Sequence, residues 1–114
     1  MQPGRTMTSS ERRGSERVAF VADVHYSIEN VVFDRRSSDL SCGGIWLDDS
    51  SPPENGQTVV VEFELEGRRI KTRGKVVGSE APIGFGVIFE DTKPADLEAI
   101  ARCVTAPSRN PILA

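Results

Sequence analysis

The stretch Val18-Ala19-Phe20-Val21-Ala22-Asp23-Val24-His25-Tyr26-Ser27-Ile28 places Val18, Phe20, Ala22, Val24, Tyr26 and Ile28 at every second position. A period of two marks a β-strand with one buried face. The same pattern returns downstream. Val59, Val61, Phe63 and Leu65 alternate with Val60, Glu62 and Glu64. Arg68 to Val77 sets Ile70, Thr72, Gly74 and Val76 against Arg69, Lys71, Arg73 and Lys75, so Glu62, Glu64 and Glu66 are expected opposite a basic strand. Phe85, Val87 and Phe89 form the last such run, after a loop over Ser79 to Ile83.

Turn chemistry separates these runs. Glu29-Asn30, Asn55-Gly56 and Glu66-Gly67 are turn candidates, because Asn and Gly tolerate positive φ. Shorter apolar segments, Val31 to Phe33 and Ile45 to Leu47, complete a set of about six strands. Trp46 in the second of these is either a barrel residue or an aromatic beside a ligand, and its large apolar area favours packing. From Thr92 the period changes. Thr92 is the expected N-cap, Pro94 sits in the first turn, and Leu97, Ile100, Ala101 and Val104 recur at helical spacing. The fold class predicted is all-β with a terminal helix: a six-stranded antiparallel β-barrel, which removes its own sheet edges, with the helix closing one open end.

The chain has 114 residues, enough for one core and too few for two. Residues 1–11 and 105–114 carry no apolar periodicity and are expected to be mobile tails around a folded domain at 12–104. Hydrophobic residues make up 38% and charged residues 27%, a globular composition. No run approaches the ~20 apolar residues of a membrane span, and Met1 to Ser15 lacks the apolar centre of a secretory signal. The net charge of −3 argues against a general nucleic-acid coat. Cys42 and Cys103 form neither a disulfide framework nor a zinc site, and both read as small packing residues. A reducing, cytoplasmic setting is expected.

Catalysis finds little support. His25 is the single histidine and lies mid-strand on the polar face, with no second histidine to share a metal. The carboxylates are scattered, with no acid/base couple. Gly84-Phe85-Gly86 lacks the third glycine and the following helix of a dinucleotide fingerprint. The chain reads as a binder rather than an enzyme, with no metal and no cofactor.

Two constellations stand out. Arg12-Arg13-Gly14-Ser15-Glu16-Arg17 clusters guanidinium groups at the mouth of the first strand, on a protein that is otherwise acidic. Their planar forks of donors fit phosphate oxygens, and also O6 and N7 of guanine. Asp39-Leu40-Ser41-Cys42-Gly43-Gly44 gathers an acceptor, a hydroxyl and two glycines into one bend. Such a bend permits positive φ and lets backbone N–H groups approach a ligand. Taken singly, the first is a solvated basic tail and the second an ordinary turn.

Together, Arg13-x-x-x-Arg17 and Asp39-x-Ser41-x-x-Gly44 resemble the two signatures of the PilZ domain, the bacterial receptor for cyclic di-GMP. The resemblance extends to Gly84-Phe85-Gly86-Val87-Ile88-Phe89, similar to that family's closing strand, and covers Arg12 to about Val104. It implies a six-stranded barrel that binds the second messenger and passes the signal to an effector protein. It carries ligand-binding roles onto Arg12, Arg13, Arg17, Asp39, Ser41, Gly43 and Gly44. Arg12, just before the first motif, goes in similar proteins with an intercalated ligand dimer, whose four phosphate charges a third arginine helps to neutralise. Gly14 in the spacer implies an arginine segment that orders on binding. A single domain of this kind acts by protein contact, as a monomer or weak dimer, without nucleic acid and without membrane insertion. The residues themselves leave two other readings: a protein-interaction barrel that binds no nucleotide, and a barrel for single-stranded nucleic acid, which needs stacking aromatics along a basic groove.

Overall fold

The computed structural model describes residues 16–105. Seven strands and one helix follow in order: β1 Val18–Ala19, β2 Asp23–Ile28, β3 Val31–Ser41, β4 Gly44–Asp48, β5 Thr58–Leu65, β6 Arg68–Glu80, β7 Gly84–Glu90 and α1 Pro94–Thr105. All pairings are antiparallel. Six strands form a ring in the order β3, β2, β5, β6, β7, β4, and β4 returns to β3 to close it. The two-residue β1 adds to the far end of β3, pairing Val18 with Leu40 and Ala19 with Asp39.

The expected single strand over Val18 to Ile28 is therefore two strands. Ala19 faces Asp39 and Asp23 faces Arg36, so the first segment spends one residue more than its partner. The buried Ser37 side chain holds this irregularity together. Its hydroxyl donates to the Phe20 carbonyl at 2.6 Å and accepts from the Ala22 N–H at 3.1 Å. These groups leave the regular ladder, and a buried backbone polar group without a partner is costly. Val21, on the outside of the break, is exposed.

The tight turns follow their residues. Glu29-Asn30 and Glu66-Gly67 both take positive φ at both positions, the two-residue geometry whose twist matches the flanking strands. The alternating side chains meet inside the ring: Val24, Tyr26, Leu40, Ile45, Val61, Phe63 and Phe85 are all buried in one core. Outside, Glu62 faces Lys71 and forms its ion pair diagonally with Arg69 at 3.2 Å, while Glu64 faces Arg69. The last β6 residues, expected in a loop, stay in the strand as far as Glu80, and a register shift between Val77 and Glu80 accommodates Gly78 at positive φ.

Helix α1 differs from expectation at both its start and its face. Thr92 does not cap it: the Lys93 carbonyl accepts from the Asp96 and Leu97 N–H groups, and the Thr92 hydroxyl pairs with Thr72 at 2.7 Å. The buried face is Asp96, Ala99, Ile100, Cys103 and Val104, and Leu97 points to solvent. The helix is rotated by about one residue because Asp96 turns inward to accept from Arg68 Nε at 2.8 Å. That partner makes a buried carboxylate tolerable. Ile100, Cys103 and Val104 join the barrel core, and burial pushes the Cys103 thiol up. Thr105 is the last helical residue. The remaining residues expected in the tails lie outside the described chain.

A second buried carboxylate fastens the loop after β4. Asp49 accepts from the Tyr26 hydroxyl at 2.7 Å, Arg35 Nε at 3.1 Å and the Ser51 N–H at 2.9 Å. Burial alone would raise its pKa, but the hydrogen bonds from Tyr26, Ser51 and Arg35 outweigh that and hold it below the ordinary carboxylate value. Burial, then the bond to Asp49, pushes the Tyr26 phenol upward. Asp49→Ala strands all three donors and is expected to cost about 2–4 kcal/mol in urea unfolding. The contribution of Asp49 is complete above the unfolded carboxylate value of about 4 and is lost as pH falls through its depressed folded value. Asp49→Asn should therefore show a shallower loss of stability between neutral pH and about pH 3 than the parent protein.

Candidate functional site

The end of β3 and the start of β4 make a two-residue turn, Cys42-Gly43, with Ser41 opposite Gly44. Ser41 is buried, and its hydroxyl oxygen accepts from the N–H groups of Gly43 at 3.3 Å and Gly44 at 3.1 Å. The expectation that these N–H groups are open to a ligand is not met, because the serine takes both. Nor does either glycine adopt positive φ. Their roles differ. A Cβ on Gly44 would overlap the Val87 carbonyl oxygen, so only glycine lets β4 lie this close to β7. A Cβ on Gly43 would meet no protein atom within 4 Å. Its carbonyl accepts from the Phe89 N–H at 2.9 Å, which fixes the turn against β7.

Arg17 immediately precedes β1. The pairing of Val18 with Leu40 carries it to the Asp39–Ser41 end of β3. Its guanidinium donates to Asp39 Oδ1 at 2.9 Å. Both side chains are partly solvated, and pairs of this kind contribute about 0–1 kcal/mol. The contact orients the arginine rather than supporting the barrel.

These residues enclose one side of a cavity of about 310 Å³, which Arg17, Ser41, Gly43 and Gly44 line. Val77, Gly86 and Ile88 of β6 and β7 line the other side. The two sequence constellations thus share a cavity through Arg17, and Asp39 adjoins it through its ion pair. Arg12 and Arg13 lie outside the described residues. The reading of the sequence missed the β6–β7 wall. Its signal was present in Gly84 and Gly86, alternate glycines in a strand, which leave a stretch of outer barrel surface without side chains. A second depression, about 350 Å³ and lined by Asp23, His25, Asp34, Arg35 and Arg36, is less suited to an anion. Its charges are satisfied within the fold: His25 meets Asp34, Arg36 lies 3.9 Å from Asp23, and Arg35 serves Asp49.

Trp46 does not join the core. Ile45 and Leu47 point inward, so Trp46 points out and is half-buried on the barrel surface. Phe63 and Phe85 are fully buried, and Phe20 and Phe89 pack against the same core, so these rings form no exposed stacking groove. Among the described residues no cluster of three His, Cys, Asp or Glu side chains could hold a metal ion, and no helix is long and apolar enough to cross a membrane.

Comparison with known proteins agrees with this architecture. No curated protein matches the sequence. Among solved structures, the chain is similar to the PilZ domain of CeSA from a cellulose-synthesizing bacterium, with a TM-score of 0.63 at 17% identity, covering 79% of this chain and 95% of that one. It is similar to the Bacillus subtilis inhibitor of motility MotI/DgrA, with a TM-score of 0.68 at 21% identity over 82% of this chain. It is also similar to the Borreliella burgdorferi PlzA protein, solved in complex with c-di-GMP, with a TM-score of 0.65 at 14% identity over 89% of this chain. The chain spans about half the length of those last two, 49% and 46%. At these identities the likeness concerns the fold. The PilZ domain family model matches residues 11–106, which include the whole of the barrel and helix described above, and the chain belongs to that family.

Proposed function

We propose that this protein is a receptor for cyclic di-GMP, non-catalytic, which passes the signal to an effector protein. The observation that carries the reading is the shared cavity, which Arg17 lines together with Ser41, Gly43 and Gly44 of the turn. Family membership supports the ligand class, as does the PlzA complex with c-di-GMP.

The free protein holds Arg17 on Asp39. An arriving phosphate competes for that guanidinium and offers it a bidentate, charge-assisted contact, stronger than a solvated carboxylate pair. Asp39, once released, is an acceptor for the N–H groups of a guanine edge. The Ser41 hydroxyl has its oxygen occupied by two N–H donors and spends its hydrogen on a long contact to the Gly44 carbonyl at 3.4 Å. That hydrogen is the one the turn can redirect to a phosphate oxygen. Gly43 and Gly44 contribute by having no side chain in the cavity. In this proposal Arg12 and Arg13 join the ligand as well, ordering the arginine segment, and the rearranged segment is the surface the effector reads. Three arginines would offset most of the four phosphate charges of two stacked ligands per chain.

Calorimetric titration with cyclic di-GMP tests the reading, with saturation at two ligands per chain expected and a clear one-to-one endpoint counting against the stacked dimer. No heat and no binding at micromolar ligand would return the chain to the protein-interaction reading. Arg17→Ala is expected to weaken binding about tenfold or more, since a charge-assisted hydrogen bond is worth about 1.5–3 kcal/mol, while the melting temperature stays close to that of the parent. The two glycines should separate. Gly44→Ala is expected to destabilise by about 1–3 kcal/mol through overpacking against β7, whereas Gly43→Val folds normally and loses ligand affinity by occupying the cavity.

A further inference from the structure

The cavity of about 310 Å³ lies at the small end of the roughly 300–1,000 Å³ range of ligand sites. A cyclic dinucleotide carries two purines, two sugars and two phosphates, so much of it must lie on the surface beside the cavity. That surface is uneven in character. At one end stand Arg17 and Asp39. Toward β6 and β7 it becomes apolar, with Val77 and Ile88 exposed. Phosphates suit the first region and base faces the second.

Trp46 stands between the two. Its register partners are Asp39 on β3 and Gly86 on β7, and Gly86 in turn faces Val77 on β6. One neighbour therefore holds Arg17, and the other two line the cavity. The indole spreads over glycines. A Cβ built on Gly84 would lie 3.0 Å from its Nε1, one on Gly86 3.6 Å from its Cε3, and one on Gly78 3.7 Å from its Cζ3. A Cβ at Gly84 would crowd the ring, while those at Gly86 and Gly78 would lie in ordinary contact with it. The indole thus settles on a largely bare stretch of barrel backbone and stays partly accessible. A tryptophan that lies outside the core and is only partly covered keeps part of a rigid aromatic surface for whatever binds next to it.

We propose that Trp46 is a base-stacking residue: a purine of bound cyclic di-GMP lies on the exposed part of the indole, next to the Arg17–Asp39 end of the cavity. This rests on the receptor reading above. Stacking favours any purine, because every purine offers the same kind of face. Discrimination of guanine from adenine is left to the edge contacts of Asp39 and Arg17.

Trp46 is the only tryptophan of the chain, so its emission reports on this position alone. The test titrates cyclic di-GMP into the parent protein, Trp46→Phe and Trp46→Ala by calorimetry, and follows Trp46 fluorescence in the parent. Binding with a saturable change in emission is expected. Trp46→Ala should bind about tenfold more weakly, and Trp46→Phe, which keeps an aromatic ring, should recover most of that loss. Far-ultraviolet circular dichroism checks the barrel in each variant. If Trp46→Ala fails to fold, Trp46→Phe and the emission of the parent decide: unchanged affinity in Trp46→Phe with saturable emission supports stacking, and silent emission overturns it. Normal binding by the parent with equal affinity in Trp46→Ala also overturns the stacking role and leaves the receptor reading intact. Absence of binding by the parent itself overturns both.

Discussion

Strand β4 is only five residues long, yet it closes the barrel along both of its edges, pairing with β3 on one side and β7 on the other. The closure depends on a close approach. At Gly44 the β7 backbone lies where any other residue would place its Cβ, and Gly84 of β7 comes equally near the Leu47 carbonyl from the opposite strand. A side chain at either point would push the strands apart, and the ring would open at its shortest member. Closure also sets the site. It brings the Ser41–Gly44 turn against Val87 and Ile88, and it fixes β3 as the strand on which β1 lies, so that Arg17 arrives at that turn.

The ion pair between Arg17 and Asp39 gives the free site its electrostatic character. An unpaired guanidinium would attract any anion. Engaged by a carboxylate, it presents little net charge to a simple anion; in the proposed receptor role, a ligand that brings both a phosphate for the arginine and a donor edge for the aspartate would release it. In that proposal one weak surface contact would act as a filter, at small cost to the stability of the fold.

Much of the barrel was legible because its signals are local. Alternation placed Val24, Tyr26, Val61, Phe63, Ile70 and Phe85 inside, and paired positive-φ residues placed the hairpins. The parts that differ depend on partners distant in the chain. Nothing near Phe20 announces that Ser37 will take up the backbone groups of a broken strand. The helix pattern favoured Leu97 as a buried residue, and Arg68, 28 positions before Asp96, turned the helix the other way. At the site, Arg17, Ser41, Gly43 and Gly44 were readable from residue type and spacing. The opposing wall was harder to see because its residues, Val77, Gly86 and Ile88, come from strands distant in the chain and carry no polar signal. The place of Trp46 outside the core follows from the parity of β4, where Ile45 and Leu47 take the inward positions.

A closed ring has a further consequence for company. Every strand of the six has a neighbour on both flanks for at least part of its length, and the short β1 exposes too little main chain to seed another ladder. Among the described residues, an associating protein finds only short unpaired stretches, residues 31–35 of β3 and 68–72 of β6, on which to lay a strand of its own, the common route by which extended segments attach to sheets. Beyond those stretches, a docking protein meets side-chain relief and charge on the outer wall and the helix rather than open main chain.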